Sequence, residues 1–328
     1  MNDSGRLRWG ILGTGMIAGK FAAQLDDCPR GELIATGSRT PDSATRFAAE
    51  HGGTAHGSYG ALIGDPDIDA IYVALPNAMH HAWTLCGLEA GKHVLCEKPL
   101  AANAAQAAEV FDAAQRTERV LVEAFMYRSL PLTKKAIELA RSGALGEVKL
   151  IHANFSYYRD AARGDIRYQP ELAGGALMDV GCYCINFART VAGEEPTALH
   201  VEAHLHDFGV DDYAAGTLRF GDKIMATFTC GMTVEGAWTV VVAGTDGYLV
   251  LEDPWFGSGP LTVVRGKERA VTEGTSRPGP YALEAERFAA AVFDGAPPPL
   301  TREDSLGNMY VLDKLRQRVG MPTTFQSP

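Results

Sequence analysis

Trp9-Gly10-Ile11-Leu12-Gly13-Thr14-Gly15-Met16-Ile17-Ala18 reads as a short apolar strand that runs into G-x-G-x-x-A and straight on into a helix. Each small residue has a physical job. Gly13 permits a tight turn, Gly15 lets the backbone approach a pyrophosphate, and Ala18 allows close packing of helix on strand, with the anion seated on the helix N-terminus. Thr14, Met16 and Ile17 complete this cradle. Alone the string is weak, because any strand-to-helix turn favours glycine; at the first strand of an alternating pattern it becomes strong.

That alternation is present. Apolar runs at Arg8–Leu12, Leu33–Gly37, Ala70–Leu75, Val94–Cys96 and Val120–Ala124 are separated by helical stretches at Met16–Leu25, Asp42–Glu50, Ala78–Ala90 and Ala104–Gln115. Strand and helix in alternation predict an α/β domain with a doubly wound parallel sheet over residues 1–125. From residue 126 to 328 the texture changes to an α+β domain. A connecting helix at Leu132–Arg141 precedes longer strands with alternating character at Val148–Tyr158, Leu199–Leu205, Ala214–Phe220, Ile224–Cys230, Trp238–Ala243 and Tyr248–Leu251. Turns such as Gly221-Asp222 between them predict a large, open-faced, mostly antiparallel sheet. Helices are expected at Ala176–Val191, Leu283–Phe293 and Arg302–Val319.

Composition narrows the class. The 328 residues are 46% hydrophobic and 21% charged, the balance of a globular protein, and the formal net charge of -10 argues against a phosphate-backbone binder. The start has no leader-like apolar stretch and no run has the length of a membrane span, so a cytoplasmic protein with neither nucleic-acid nor membrane partners is expected. The six cysteines form no Cys-x-x-Cys pair, which points to reduced thiols and no metal. His204 and His206 share a strand face with Glu202, and a solvated sheet face explains that pattern better than a metal site.

The nucleotide type follows from charge. About 20 residues past the glycine turn an NAD site wants Asp or Glu for the ribose 2′-hydroxyl. This chain has Ser38-Arg39-Thr40 instead. A guanidinium flanked by hydroxyls suits a 2′-phosphate, so NADP is expected over NAD.

Lys98 ends the Val94–Cys96 run within Glu97-Lys98-Pro99, and in an open parallel sheet ligands bind outside the carboxyl ends of the strands. On a helical wheel at ~100° per residue, Leu177, Val180, Cys184, Phe187 and Val191 form an apolar stripe, with Asp179, Tyr183, Asn186 and Thr190 as a polar stripe beside it. Such a helix can line a cleft. Together with the glycine turn, the strings Ala74-Leu75-Pro76-Asn77-Ala78-Met79-His80, Glu97-Lys98-Pro99-Leu100, Glu123 to Arg128 and Gly174 to Tyr183 resemble the Gfo/Idh/MocA oxidoreductases, on the dihydrodiol dehydrogenase and NADP-dependent xylose dehydrogenase branch.

The resemblance implies hydride transfer between a nicotinamide and a secondary alcohol or carbonyl of a sugar, sugar derivative or cyclic diol. It implies Lys98 as the catalytic lysine, with Asp179 and Tyr183 as its helix partners, and Leu75, Pro76, Asn77, His80 and Glu97 beside the cofactor. Many relatives have His where Tyr183 stands, which argues against inositol-type specificity here. The chemistry needs a proton acceptor and an oxygen-polarising group, and spacing does not rank Lys98 and Tyr183 for the two. Tyr127, Arg128, Phe155, Tyr158 and Arg167 are candidate walls of the substrate pocket. By analogy a homodimer or homotetramer forms through the C-terminal sheet. Two other readings share the fold: a glycosidase that oxidises and re-reduces a retained NAD, and a non-catalytic nucleotide-binding sensor.

Overall fold

The apolar run at Leu7–Leu12 forms β1, at the centre of a six-stranded sheet in the order β3-β2-β1-β4-β5-β6. The structure is a computed structural model, and it describes residues 5–275 and 277–325. The other strands are β2 (Gly31–Gly37), β3 (Thr54–His56), β4 (Ala70–Val73), β5 (His93–Glu97) and β6 (Leu121–Ala124), all paired in parallel. Helices α1 (Met16–Leu25), α2 (Pro41–His51), α3 (Tyr59–Ile63), α4 (Asn77–Glu89) and α5 (Ala104–Thr117) make the crossovers. Strand order reverses direction between β1 and β4, which makes their carboxyl ends the switch point where ligands bind in this architecture. Strand β3 and helix α3 were not expected from the pattern: Thr54–His56 and Tyr59–Ile63 are too short to show periodicity.

Two units of contacts divide the chain, and the division differs from a simple cut at residue 125. The first runs to Met126 and takes in Pro278–Ser305, while the second comprises Tyr127–Arg277 and Leu306–Phe325. The expected second domain is therefore not continuous to the C-terminus. Helix α8 (Pro280–Asp294) packs on α1 in the first unit, and the cause is aromatic: Trp9 of β1 lies 5.3 Å from Phe21 and 5.1 Å from Phe288. Phe21 in turn stacks on Tyr72 at 3.9 Å.

The second unit is built on an eight-stranded sheet in the order β14-β13-β12-β11-β7-β10-β9-β8. Its strands are β7 (Val148–Ser156), β8 (Ala198–Leu205), β9 (Asp211–Phe220), β10 (Ile224–Gly231), β11 (Thr239–Gly244), β12 (Tyr248–Glu252), β13 (Leu261–Arg265) and β14 (Glu268–Thr272). All neighbours are antiparallel except β7 and β10. The hairpin β13–β14 was missed from sequence; β14 is exposed along nearly its whole length, so no apolar alternation marks it. One face of β7 is buried through Ile151, Ala153 and Phe155 under α7 (Cys182–Ala192), while α6 (Pro131–Arg141) and most of α9 (Arg302–Arg318) complete the unit. The opposite face carries a row across four strands, paired in register: Tyr248, Leu150 and Met225 are exposed and Ala243 among them is half-buried.

Helix α7 does not run unbroken from Ala176. Leu177–Gly181 is a π-helical turn, and the α-helix proper starts at Cys182. The 100° wheel fails across such a turn, and π turns occur frequently at functional positions.

Candidate active site

In the first unit, the two glycines of the cradle are small for different reasons. Gly13 has φ +110°, and a Cβ there would lie 2.4 Å from the Ala74 carbonyl oxygen, so the fold itself demands glycine. Gly15 has φ -81° and ψ 177°, ordinary extended values, and a Cβ there meets no atom within 4 Å. No packing requires Gly15 to be glycine. It heads α1 with no side-chain cap, leaving the first N–H groups of the helix directed at open space beside half-exposed Thr14 and Ile17 and exposed Met16. Helix α4 also starts without a side-chain cap, at Pro76, with Asn77 as its first residue. Such termini hold anions.

At the end of β2, Ser38 is buried and its N–H donates to the His56 carbonyl over 3.1 Å, whereas Arg39 is exposed. Burial raises the Tyr59 phenol above its ordinary value, and Arg39, which hydrogen-bonds with it, offsets part of the rise. Thr40 is occupied locally: its hydroxyl caps α2, accepting from the Ser43 N–H at 3.4 Å. The residues present fit a dinucleotide with a 2′-phosphate, held through the α1 terminus and Arg39.

Lys98 follows β5 directly and is half-buried, and its peptide with Pro99 is cis. Three side chains brace its loop. Glu97 accepts from the Lys98 N–H at 3.2 Å and from the Tyr72 hydroxyl. Glu123 accepts from the Leu100 N–H at 2.9 Å. His80 places Nδ1 2.8 Å from the Pro99 carbonyl oxygen and Nε2 2.7 Å from that of Leu75. Both ring nitrogens of His80 are thus turned to the backbone. Burial, reinforced by Lys98, outweighs the two carbonyls and brings the imidazole pKa down to about 4. His80 therefore sits between the exit of β4 and the exit of β5, with a ring nitrogen against a main-chain carbonyl of each.

A second carboxyl lies near Glu97. Glu284 on α8 is 1% exposed, and neither of its oxygens has a hydrogen-bond partner among the described residues. Burial, then the charge of Glu97, push its pKa far up, and the same two influences and Glu284 raise Tyr281. Sequence reading missed Glu284, because nothing in the pattern of α8 distinguishes a buried glutamate from an exposed one.

In the second unit, Gly174-Gly175 lead into the π turn. A Cβ on Gly174 would lie 2.3 Å from the Arg167 carbonyl oxygen, and Gly175, at φ +112°, passes so close to Asp211 that a Cβ would lie 2.1 Å from Oδ1. Asp179 sits on the π turn with its side chain 18% exposed, accepting from the Tyr157 hydroxyl and lying 3.4 Å from Arg167 Nε. Burial and then Asp179 push the Tyr157 phenol up, so it acts as a donor. Burial opposes the Arg167 charge, but Asp179, Tyr157 and Asp165 more than restore it.

Tyr183 opens the first turn of α7, its ring centroid 5.2 Å from Phe155, 5.5 Å from Trp255 and 5.7 Å from Tyr127. These edge-on and tilted contacts hold the ring in place. The polar stripe predicted beside it is buried. Asn186 Oδ1 accepts from the Tyr127 hydroxyl at 2.6 Å and from Arg128 at 3.1 Å, and Thr190 accepts from Arg128 at 2.8 Å.

Two pocket candidates are corrected. Tyr127 is wholly buried and braces α7 rather than walling a cavity. Tyr158 is 60% exposed and donates to Asp160, on the other side of the chain from the Asp179 group. Its neighbour Tyr157 is the residue that reaches Asp179; alternation from inward Phe155 could have found it. Phe155 and Arg167 do lie with Tyr183 and Asp179 respectively. His204 hydrogen-bonds Asp212 at 2.7 Å and stacks on Tyr213. Among the described residues no cluster of His, Cys, Asp or Glu is arranged to hold a metal, and no helix is long and apolar enough to cross a membrane.

With this geometry in hand, comparison with known proteins is specific. Residues 7–125 match the model of an oxidoreductase family with an NAD-binding Rossmann fold, and residues 133–250 match the Gfo/Idh/MocA C-terminal domain. A D-xylose 1-dehydrogenase (NADP(+)) of Haloferax volcanii is 37% identical over 94% of this chain and 96% of its own. A trans-1,2-dihydrobenzene-1,2-diol dehydrogenase of Xenopus tropicalis is 32% identical over 96% and 98%. Among solved structures, the 3-ketoreductase KijD10 of Actinomadura kijaniata, in complex with NADP, is 30% identical with a TM-score of 0.86 over 95% of this chain and 97% of that one. The aldose-aldose oxidoreductase of Caulobacter crescentus is 26% identical with a TM-score of 0.89 over 96% and 98%. The chain belongs to the Gfo/Idh/MocA family of oxidoreductases.

Proposed function

We propose that the chain is an NADP-dependent dehydrogenase or reductase acting on a CH–OH group of a sugar, a sugar derivative or a cyclic diol. The observation that carries this reading is the lysine at the carboxyl edge of β5, held in a loop braced by His80, Glu97 and Glu123, on the same sheet as the open α1 terminus. Bound NADP supplies the hydride acceptor or donor. Gly13 to Ile17 hold its pyrophosphate and Arg39 its 2′-phosphate. Asn77 and the main chain at Leu75 and Pro76 line the same edge, and Glu97 serves by fixing Lys98.

Oxidation of a carbinol releases a proton as the hydride leaves, and reduction of a carbonyl takes one up. Lys98 and Tyr183 divide that work, one exchanging the proton with the reacting oxygen and the other polarising it. Asp179, held by Tyr157 and Arg167, accepts from a neighbouring substrate hydroxyl and so orients the ring. The rings of Phe155 and Tyr183, backed by wholly buried Trp255, suit the flat faces of sugars and cyclic diols. The substrates named for the relatives, D-xylose and a trans-dihydrodiol, set the two classes to try first.

Six free thiols, five of them buried, fit a reducing cytoplasm. The row of exposed Tyr248, Leu150 and Met225 fits self-association into a homodimer or homotetramer through the open sheet face. The test of activity is absorbance at the NADPH band with NADP or NAD and a panel of aldoses, anhydro-sugars, inositols and trans-dihydrodiols. NADPH formation with an aldose or a dihydrodiol is expected. Measurable NADP binding without turnover of any member would refute the reading.

A further inference from the structure

Asp211, at the first position of β9, is wholly buried, and none of the roles above uses it. Its Oδ2 accepts the Leu177 N–H over 2.6 Å, so it caps the π turn that carries Asp179. Its Oδ1 lies against the Cα of Gly175 so closely that any side chain there would collide with it, which is the physical reason for a left-handed glycine at that point. Four residues on, the Gly175 carbonyl accepts the Asp179 N–H at 2.9 Å. One carboxylate therefore fixes both the backbone entering the turn and the first N–H inside it.

We propose that Asp211 is a positioning residue, which sets the placement of Asp179 and Tyr183 by anchoring the start of their helix. The charged groups around it are few. Wholly buried Arg316 on α9 is the cation that acts on it, itself also facing Asp313. Asp212, next on β9, points to the opposite face toward His204 and Thr233 and opposes the Asp211 charge weakly. The Cys230 thiol of β10 is the remaining titratable neighbour. Burial dominates over Leu177 and Arg316 and brings the Asp211 pKa up to about 7. Oδ1, which accepts no hydrogen bond among the described residues, is the atom left to take the proton. Near neutral pH the anchor therefore alternates between a charged and a neutral acceptor.

The consequence for turnover rests on the proposed function, but the anchoring does not, and the test separates them. Amide hydrogen exchange of peptides spanning residues 174–183 is followed by mass spectrometry in wild type, Asp211→Ala and Asp211→Asn. Asp211→Ala is expected to exchange about tenfold faster there, the loss of one buried cap, with the rest of the second unit unchanged. Asp211→Asn, whose amide oxygen still accepts, should restore protection. In turnover, Asp211→Ala should lose about 10- to 100-fold in kcat through misplacement of the reacting groups, with NADPH affinity unaltered. Asp211→Asn should recover most of kcat while losing the ionisation near neutrality from the pH profile of kcat/KM. If Asp211→Ala does not fold, Asp211→Asn decides through that profile. Wild-type exchange at 174–183 in Asp211→Ala, or a profile unchanged in Asp211→Asn, would overturn the proposal. If no substrate turns over even with wild type, the functional reading fails, and the exchange data still decide the anchoring.

Discussion

Substituting serine for Gly15 should separate folding from cofactor binding with opposite signs. The backbone at Gly15 has φ -81° and ψ 177°, and a Cβ there meets nothing within 4 Å, so serine enters without strain. It also brings the side-chain cap that α1 lacks, adding a few tenths of a kcal/mol relative to glycine. The same side chain occupies the space the pyrophosphate needs. Overpacking of that kind costs about 1–3 kcal/mol, or about 5- to 150-fold in Kd. Gly13→Ala is the contrasting control. At φ +110°, with a Cβ 2.4 Å from the Ala74 carbonyl oxygen, it should lower stability itself; left-handed strain alone is about 1–3 kcal/mol. Thermal or urea unfolding measures the first effect, and NADPH fluorescence titration the second. If Gly15→Ser bound NADPH with wild-type affinity, the α1 terminus would not be the pyrophosphate site.

Three further outcomes are expected. Arg39→Ala should weaken NADP by about 1–2 kcal/mol, roughly 5- to 30-fold, an exposed charge-assisted contact, while leaving NAD unchanged; equal loss for both nucleotides in the titration would remove Arg39 from the 2′-phosphate. Tyr157→Phe deletes the donor to Asp179 and should raise KM for the alcohol substrate more than it lowers kcat, and initial-rate kinetics showing the reverse would make Tyr157 part of the proton path. Glu284 has a folded pKa above its unfolded one, so the folded state holds the proton longer and stability falls as pH rises above about 4.3 toward the folded pKa, at about 1.4 kcal/mol per pH unit. Glu284→Gln keeps the shape without the ionisation. It should therefore match wild type in acid and exceed it at pH 8 in urea unfolding, and parallel curves would show that Glu284 is already ionised in the folded protein.

Local chemistry was legible in the sequence and long-range chemistry was not. Gly13 and Gly15 announce a cradle because their spacing acts within one turn, and Lys98 stands out because a strand end is a local signal. The helix carrying Asp179 and Tyr183 was also visible, but its π turn was not; Asp211, which caps it and packs against Gly175, comes from 36 residues beyond that glycine. The polar stripe of Asn186 and Thr190 was read as facing a cleft, yet Tyr127 and Arg128 cover it. Glu284 and Asp211 share one reason for escaping notice: each is a polar residue surrounded by distant segments, so burial and not pattern defines it. Helix α8 joins the first unit for the same reason, through the contact of Phe288 with Trp9.

The central claim is that Lys98 acts on the reacting oxygen of an alcohol oxidised by NADP, exchanging its proton or polarising it. Lys98→Met, assayed by initial rates of NADPH formation alongside NADPH binding, tests it directly. Loss of a group that exchanges the proton or polarises the oxygen should lower kcat by about 10²–10⁴-fold with cofactor affinity retained. Wild-type turnover in Lys98→Met would contradict the claim.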